Sequence, residues 1–190
     1  MPIATRPQQP GTVPATELGR PHVTTEQVWH ELDRASFAVI GYGTPAGEPR
    51  SSGVVYKTVG KRLYMAVAPN SWKAKHIAAG GHVSVTVPVR RGGILSLVLP
   101  IPPATISFHA TAVVHPAGSV KVSSLSKELE SLIPPDRRNA AVFIELAPIG
   151  EFLVYGVGVP LMDMQKPELA GGVVPISDSN GSVNSGGVPG

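Results

Sequence analysis

From Arg50 to Ile77 the chain runs through strand, turn, strand and helix start with almost no residues between them. Arg50-Ser51-Ser52-Gly53-Val54-Val55-Tyr56 and Arg62-Leu63-Tyr64-Met65-Ala66-Val67 are β-prone, and Val59-Gly60-Lys61 between them is a turn. Strands joined this tightly pair antiparallel. Pro69-Asn70-Ser71-Trp72-Lys73-Ala74-Lys75-His76-Ile77 then opens a short helix. An arginine and serines stand at one end of the stretch, a serine and lysines at the other. A hairpin that folds back on itself brings them together. A helix N-terminus flanked by Ser, Lys and Arg suits an anion, because free backbone N–H groups and cationic side chains point the same way. The stretch is therefore read as a phosphate cradle.

The flanking sequence carries similar strand and turn patterns. Thr24-Thr25-Glu26-Gln27 is a capping box, and Val28, Leu32 and Ala35 share a face, which predicts a helix over 25–35. Phe37 to Tyr42 reads as a strand, Thr44-Pro45-Ala46-Gly47 as a turn, and Ser71 to Ala79 as a helix stopped by Gly80-Gly81. In His82–Pro88, Val83, Val85 and Val87 alternate with Ser84 and Thr86, the pattern of a half-buried strand. Residues 89–104 read as a proline-interrupted loop in which Ile94–Leu99 is strand-like. Thr105–Val114 is a strand. A helix follows from Ser119, carrying Val122, Leu125, Leu129 and Leu132 on one face and ending at Pro134-Pro135. Ala140–Leu146 and Glu151–Val157 read as two last strands joined by a hairpin turn. With 21 Gly and 20 Pro, the chain favours short strands and turns over long helices. The predicted fold is mainly β: a six- to seven-stranded antiparallel split β-barrel with a few short helices, which avoids exposed edges. It occupies residues 21–164, between a flexible arm over 1–20 and a disordered tail over 165–190.

The net charge of +3 is unevenly spread: no acid occurs between Glu48 and Glu128, while Arg50, Lys57, Lys61, Arg62, Lys73, Lys75, Arg90, Arg91, Lys121 and Lys127 do. A basic middle without counter-charge points to an anionic ligand. Aromatic residues make up only 5% of the chain, too few for the stacking surface of a nucleic-acid binder. The absence of Cys rules out disulfides, thiolate metal sites and a Cys nucleophile. His109 and His115 lie about 20 Å apart along one strand, and the six histidines form no metal signature, so no metal site is expected. Paired carboxylates, a nucleophile elbow and a dinucleotide glycine pattern are also lacking, and no catalytic side chain is assigned. No segment reaches the ~20 apolar residues of a membrane span, and residues 1–20 lack the apolar run of a signal peptide. A cytoplasmic protein without a membrane partner is expected.

Pro49-Arg50-Ser51-Ser52, Val54-Val55-Tyr56, Leu63-Tyr64-Met65, the Ser71-x-Lys73-x-Lys75-x-Ile77 element and Val83-Ser84-Val85-Thr86-Val87 follow one another in an order and spacing that resemble the pyridoxamine 5'-phosphate oxidase-like flavin-binding split barrels. The resemblance extends more weakly through Ile106–Val114 and Val142–Val157. It implies a homodimer with FMN, or the deazaflavin coenzyme F420, in a groove at the interface. It also implies a flavin-dependent oxidoreductase acting on a small organic substrate, in which the cofactor carries the hydride chemistry. Carried over by position, Arg50 and Lys73 would bind the cofactor phosphate. Ser51, Ser52 and Ser71 would add hydrogen bonds and Lys75 charge, with Trp72 beside them. Val54, Val55 and Tyr56 would run along the ring system. Where the family often has a phosphate-binding Thr, Val67 stands here. That departure keeps a non-catalytic ligand-binding barrel in view.

Overall fold

A computed structural model describes residues 23–90, 103–117, 119, 126–133, 141–160 and 167–176. In chain order the elements are α1 (Thr25–Arg34), β1 (Phe37–Gly43), β2 (Pro49–Val55), β3 (Lys57–Val59), β4 (Arg62–Val67), α2 (Trp72–Gly80), β5 (His82–Val89) and β6 (Ala104–His115). Then come α3 (Ser126–Leu129) with a 3-10 turn (Glu130–Leu132), β7 (Val142–Tyr155), α4 (Pro167–Ala170) and β8 (Gly171–Pro175). α1 begins at the predicted capping box: Gln27 N–H donates to Thr24 Oγ1 at 3.3 Å, and Thr24 N–H donates to Gln27 Oε1 at 2.7 Å.

The strands form one sheet in the order β2-β1-β5-β6-β7-β4-β3, with β8 beside β7, and every pairing is antiparallel. The two ends of that order are consecutive in the chain. β2 pairs with β1, placing Val54 opposite Ala38, and β3 pairs with β4, placing Thr58 opposite Leu63. One interrupted strand thus joins both edges of the curled sheet, as in a split barrel. Tyr56 sits at the interruption. It is buried, its N–H donates to Ser36 O at 3.0 Å, and its hydroxyl donates to Leu32 O at 2.7 Å, tying the corner to the last turn of α1.

Alternation fills the interior. Ala38 and Ile40, Leu63 and Met65, Val83 to Val89 at odd positions, Ile106 and Phe108, and Ile144 and Leu146 all point inward and are buried. Phe152 meets the edges of Trp29 and Phe108, with centroids at 5.6 and 5.3 Å. α2 turns Ala74 and Ile77 into the same core. A second cluster of Tyr64, Leu129, Ile133, Ala141 and Phe143 seals α3 and its 3-10 turn against the outside of β4 and β7.

Three expectations change. The last two strands are one, β7, so Glu145 and Glu151 share a strand and do not flank a hairpin turn. At Gly150 (φ +77°), where a side chain would be strained, the register against β6 shifts between Ser107 and His109; there β7 exchanges β4 for β8 as its second neighbour. The hairpin after β2 is short: only Lys57–Val59 pairs with β4, across a Gly60-Lys61 turn in which both residues are left-handed. Residues 167–175, expected in a disordered tail, instead form α4 and β8, and Pro175 O accepts a 2.9 Å bond from Thr25 Oγ1. The 1–20 arm, the Ile94–Leu99 strand, the start of the 119–133 helix and the tail beyond 176 lie outside the described residues.

Candidate functional site

Strand alternation divides the residues that the sequence grouped along β2. Arg50, Ser52 and Val54 stand opposite Tyr42, Ile40 and Ala38, on the inward parity of β1. Ser51, Gly53 and Val55 stand opposite Gly41, Val39 and Phe37, on the outer face. The inward group leads to α2. Tyr42 Oη lies 3.2 Å from Ser52 Oγ, and its ring lies 6.2 Å from that of His76. His76 in turn lies 6.0 Å from Trp72, and Lys75 Nζ sits 5.0 Å from the Trp72 ring centroid. Tyr42 and His76, which no sequence motif marks, therefore link Arg50 and Ser52 to the start of α2. Val54 and Tyr56 were expected beside a cofactor ring, but they are buried in the barrel. Burial, then the Asp33 carboxylate, push the Tyr56 phenol well above its ordinary value.

The start of α2 has the features of an anion site. Ser71 is extended and makes no side-chain capping bond, and the first intrahelical bond runs from Lys75 N–H to Ser71 O at 3.2 Å. The N–H groups of the first turn therefore stay available. Lys73 is half-buried, and desolvation lowers its pKa. Trp72 is 73% exposed. Among the described residues neither Lys73 nor Lys75 forms an ion pair. Val67 is half-buried against the main core, opposite Val142.

The basic middle of the sequence is less bare in space than along the chain. Arg50 Nη2 pairs with Glu48 Oε2 at 2.9 Å, both exposed, a contact of small energetic weight. Arg62 Nη1 pairs with Glu145 Oε1 at 2.9 Å, and His115 Nε2 lies 2.7 Å from Glu145 Oε2. Glu145 is buried on the outer side of β7. Thr58 donates to Asp33 of α1. These partners come from strands and helices distant in sequence, so a count of acids between Glu48 and Glu128 cannot reveal them.

The outer face is built from transverse rows. One row crosses Ser51, Gly41, Ser84, His109 and Ile149, and the next crosses Gly53, Val39, Thr86, Ser107 and Leu153. Phe37, Val39, Val55, Ile149, Leu153 and Tyr155 are exposed apolar residues here. At one end a cavity of about 510 Å³ is lined by Gly41, Tyr42, Arg50, His82, Ser84, His109 and Ile149, among others. A Cβ on Gly41 would stand 2.5 Å from Ser84 Oγ. Among the described residues no group of three or more His, Cys, Asp or Glu converges as a metal set, and no helix is long and apolar enough to cross a membrane.

No family model and no curated protein matches this chain. Solved structures do match. The chain is similar to a heme binding protein from Mycobacterium smegmatis (TM-score 0.55, 14% identity, 73% of this chain and 56% of that one). It is also similar to HutZ, the heme storage protein from Vibrio cholerae (TM-score 0.51, 11% identity, 71% and 98%). A third is a FAD-binding protein from Mesorhizobium loti (TM-score 0.50, 16% identity, 67% and 91%). At these identities the likeness is one of fold. That fold is the split barrel that the sequence resemblance implied.

Proposed function

We propose that this split barrel holds a phosphorylated flavin-type cofactor and acts as a flavin-dependent oxidoreductase on a small organic substrate. The observation that carries the reading is the start of α2: uncapped N–H groups, the Ser71 hydroxyl, a desolvated Lys73 and an exposed Trp72 within a single turn. A dianionic phosphate fits this donor set. It would complete the bonds of the first turn and offset the cost of burying the Lys73 ammonium. FMN is the cofactor of the first reading and the deazaflavin coenzyme F420 of the second. When bound, either supplies the hydride chemistry. The chain supplies anchorage through Ser71, Lys73 and Lys75, with Ser52 and Arg50 reached through Tyr42 and His76. Trp72 offers a flat apolar surface to a conjugated ring.

The outer face supports a homodimer. Phe37, Val39, Val55, Leu153 and Tyr155 lie on adjoining rows and are 36–61% exposed. They form two apolar groups, Phe37, Val39 and Val55 on one side and Leu153 and Tyr155 on the other, with Thr86 and Ser107 between Val39 and Leu153, and each favours burial against a second copy. One of the compared structures is described as FAD-binding and two as heme proteins, which is in keeping with a flat conjugated ligand for this chain. The α2 site favours the phosphorylated kind.

The test is reconstitution of full-length protein with FMN and, separately, F420, followed by fluorescence and by sedimentation velocity. Stoichiometric binding lost in Lys73→Ala supports the reading. Failure to bind either, or binding indifferent to Lys73, rejects it. Binding without turnover of any reductant–substrate pair leaves the ligand-binding barrel as the description and removes the oxidoreductase.

A further inference from the structure

We propose that His82 and His109 form a two-imidazole site for a free divalent transition metal such as zinc, cobalt or nickel, on the wall of the outer-face cavity. The site lies apart from α2; it shares Arg50 with the cofactor reading but needs only His82 and His109 to hold the ion. β5 and β6 pair so that Ser84 faces His109 and His82 faces Thr111. His82 and His109 are therefore diagonal neighbours on one sheet face, with backbones about 7–8 Å apart. Both side chains are exposed, and both line the same cavity. At that separation two imidazoles can lean toward each other and reach one ion at nitrogen–metal distances of about 2.0–2.1 Å.

The surroundings keep the space open. Gly41, directly across from Ser84, puts no side chain into it; a methyl there would collide with Ser84 Oγ at 2.5 Å. Imidazole suits zinc, copper, nickel and cobalt better than the hard cations, which prefer oxygen. Among the described residues no carboxylate lines the cavity; Arg50 lines it while paired with Glu48 at 2.9 Å. An ion held by two neutral imidazoles keeps its charge and its vacant coordination positions. A carboxylate or a phosphate is the ligand class that fills those positions, with the Glu48-paired Arg50 guanidinium on the same cavity wall.

The placement also limits what the two rings can do together for the iron of a tetrapyrrole. A macrocycle fills four equatorial positions and leaves two axial ones on opposite sides. Two side chains rising from the same sheet face approach from one side and occupy adjacent positions, so the pair cannot serve as both axial ligands.

The experiment uses untagged full-length protein, titrated with Co(II) by visible absorbance and with Zn(II) by calorimetry. His82→Ala, His109→Ala and His30→Ala are compared, and circular dichroism confirms their folding. His30 is an exposed residue of α1 and serves as control. The expected result is one ion per chain in the wild type and in His30→Ala, with the cobalt band lost in both site variants. Long-range imidazole nitrogen NMR should show zinc shifting two rings together. The proposal is overturned if the wild type takes up neither ion, or if either site variant binds as the wild type does. It is also overturned if the protein binds haemin through one of these histidines while ignoring the free ions.

Discussion

Replacing Tyr56 by Phe tests how the barrel is closed. The hydroxyl is buried and donates at 2.7 Å to Leu32 O, one of the last carbonyls of α1, which have no intrahelical partner. Phe fills nearly the same volume, so packing is kept and one bond is lost. Leaving a buried acceptor unpaired costs about 1–3 kcal/mol. Urea unfolding at pH 7 should show that loss with an unchanged slope. The bond also makes a pH prediction. Burial and the Asp33 carboxylate keep the phenol neutral in the folded protein, whereas the unfolded chain ionises near the ordinary tyrosine value of about 10. The folded pKa is the raised one. The contribution of Tyr56 is therefore whole below the unfolded value and drains away as pH rises above it, by about 1.4 kcal/mol at pH 11. The variant has no phenol to ionise, so the gap between wild type and variant should shrink by that amount between pH 9 and pH 11. A gap below about 0.5 kcal/mol at pH 7, or one that stays constant to pH 11, would refute the argument.

Other perturbations follow from the same geometry. Lys73→Met should weaken FMN or F420 binding by roughly 10–100-fold, the loss of about 1.5–3 kcal/mol of a charged contact, while leaving the free protein at least as stable, because a desolvated ammonium is removed; equal affinity in a fluorescence titration rejects it. Because desolvation lowers the Lys73 pKa, wild-type affinity should decline on the alkaline side before the ordinary lysine value is reached, and Lys73→Arg should flatten that decline. Arg62→Ala combined with His115→Ala should cost more in thermal or urea unfolding than Glu145→Ala, since the double change takes two partners from a carboxylate that is 5% exposed, whereas Glu145→Ala removes the buried charge and leaves Arg62, 46% exposed, to solvent; the reverse order would contradict the reading of Glu145 as the buried centre. Leu153→Glu, on the apolar outer face, should turn a dimer into a folded monomer by sedimentation velocity, and an unchanged mass would place the interface elsewhere.

Local signals in the sequence carried most of the fold. The α1 capping box, the valine alternation of β5 and the Gly60-Lys61 turn are interactions within a few residues, and each lies where it was expected. What failed was non-local. Ala147-Pro148-Ile149-Gly150 reads as a turn because Pro and Gly usually make one. Yet β6 is twelve residues long and pairs along both halves of β7, so the strand bends at Gly150 and continues. Tyr56 is followed directly by Lys57 and Thr58, and nothing local shows that the strand changes partner there. The switch depends on β1 and β4 both being present to receive its halves.

The candidate site shows the same limit more sharply. Arg50, Ser51 and Ser52 are consecutive, and along the chain they look like one cluster. A strand's period of two sends Ser51 to the outer face and turns Arg50 and Ser52 toward Tyr42. The α2 half of the prediction needed no such information. Ser71, Trp72, Lys73 and Lys75 share the first turn of one helix, so spacing alone keeps them together. Residues that meet across strands are invisible in the other direction. Ser84 and His109 are separated by 24 intervening residues and stand directly opposite each other, with Gly41 and Ile149 completing the row. Inspection of β6 alone could only compare His109 with His115 and find them too far apart. The relevant partner of His109 lies on β5, and only the register supplies it. A helix-borne site is thus legible from sequence at this level, whereas a site on a sheet face becomes legible only once pairing is known.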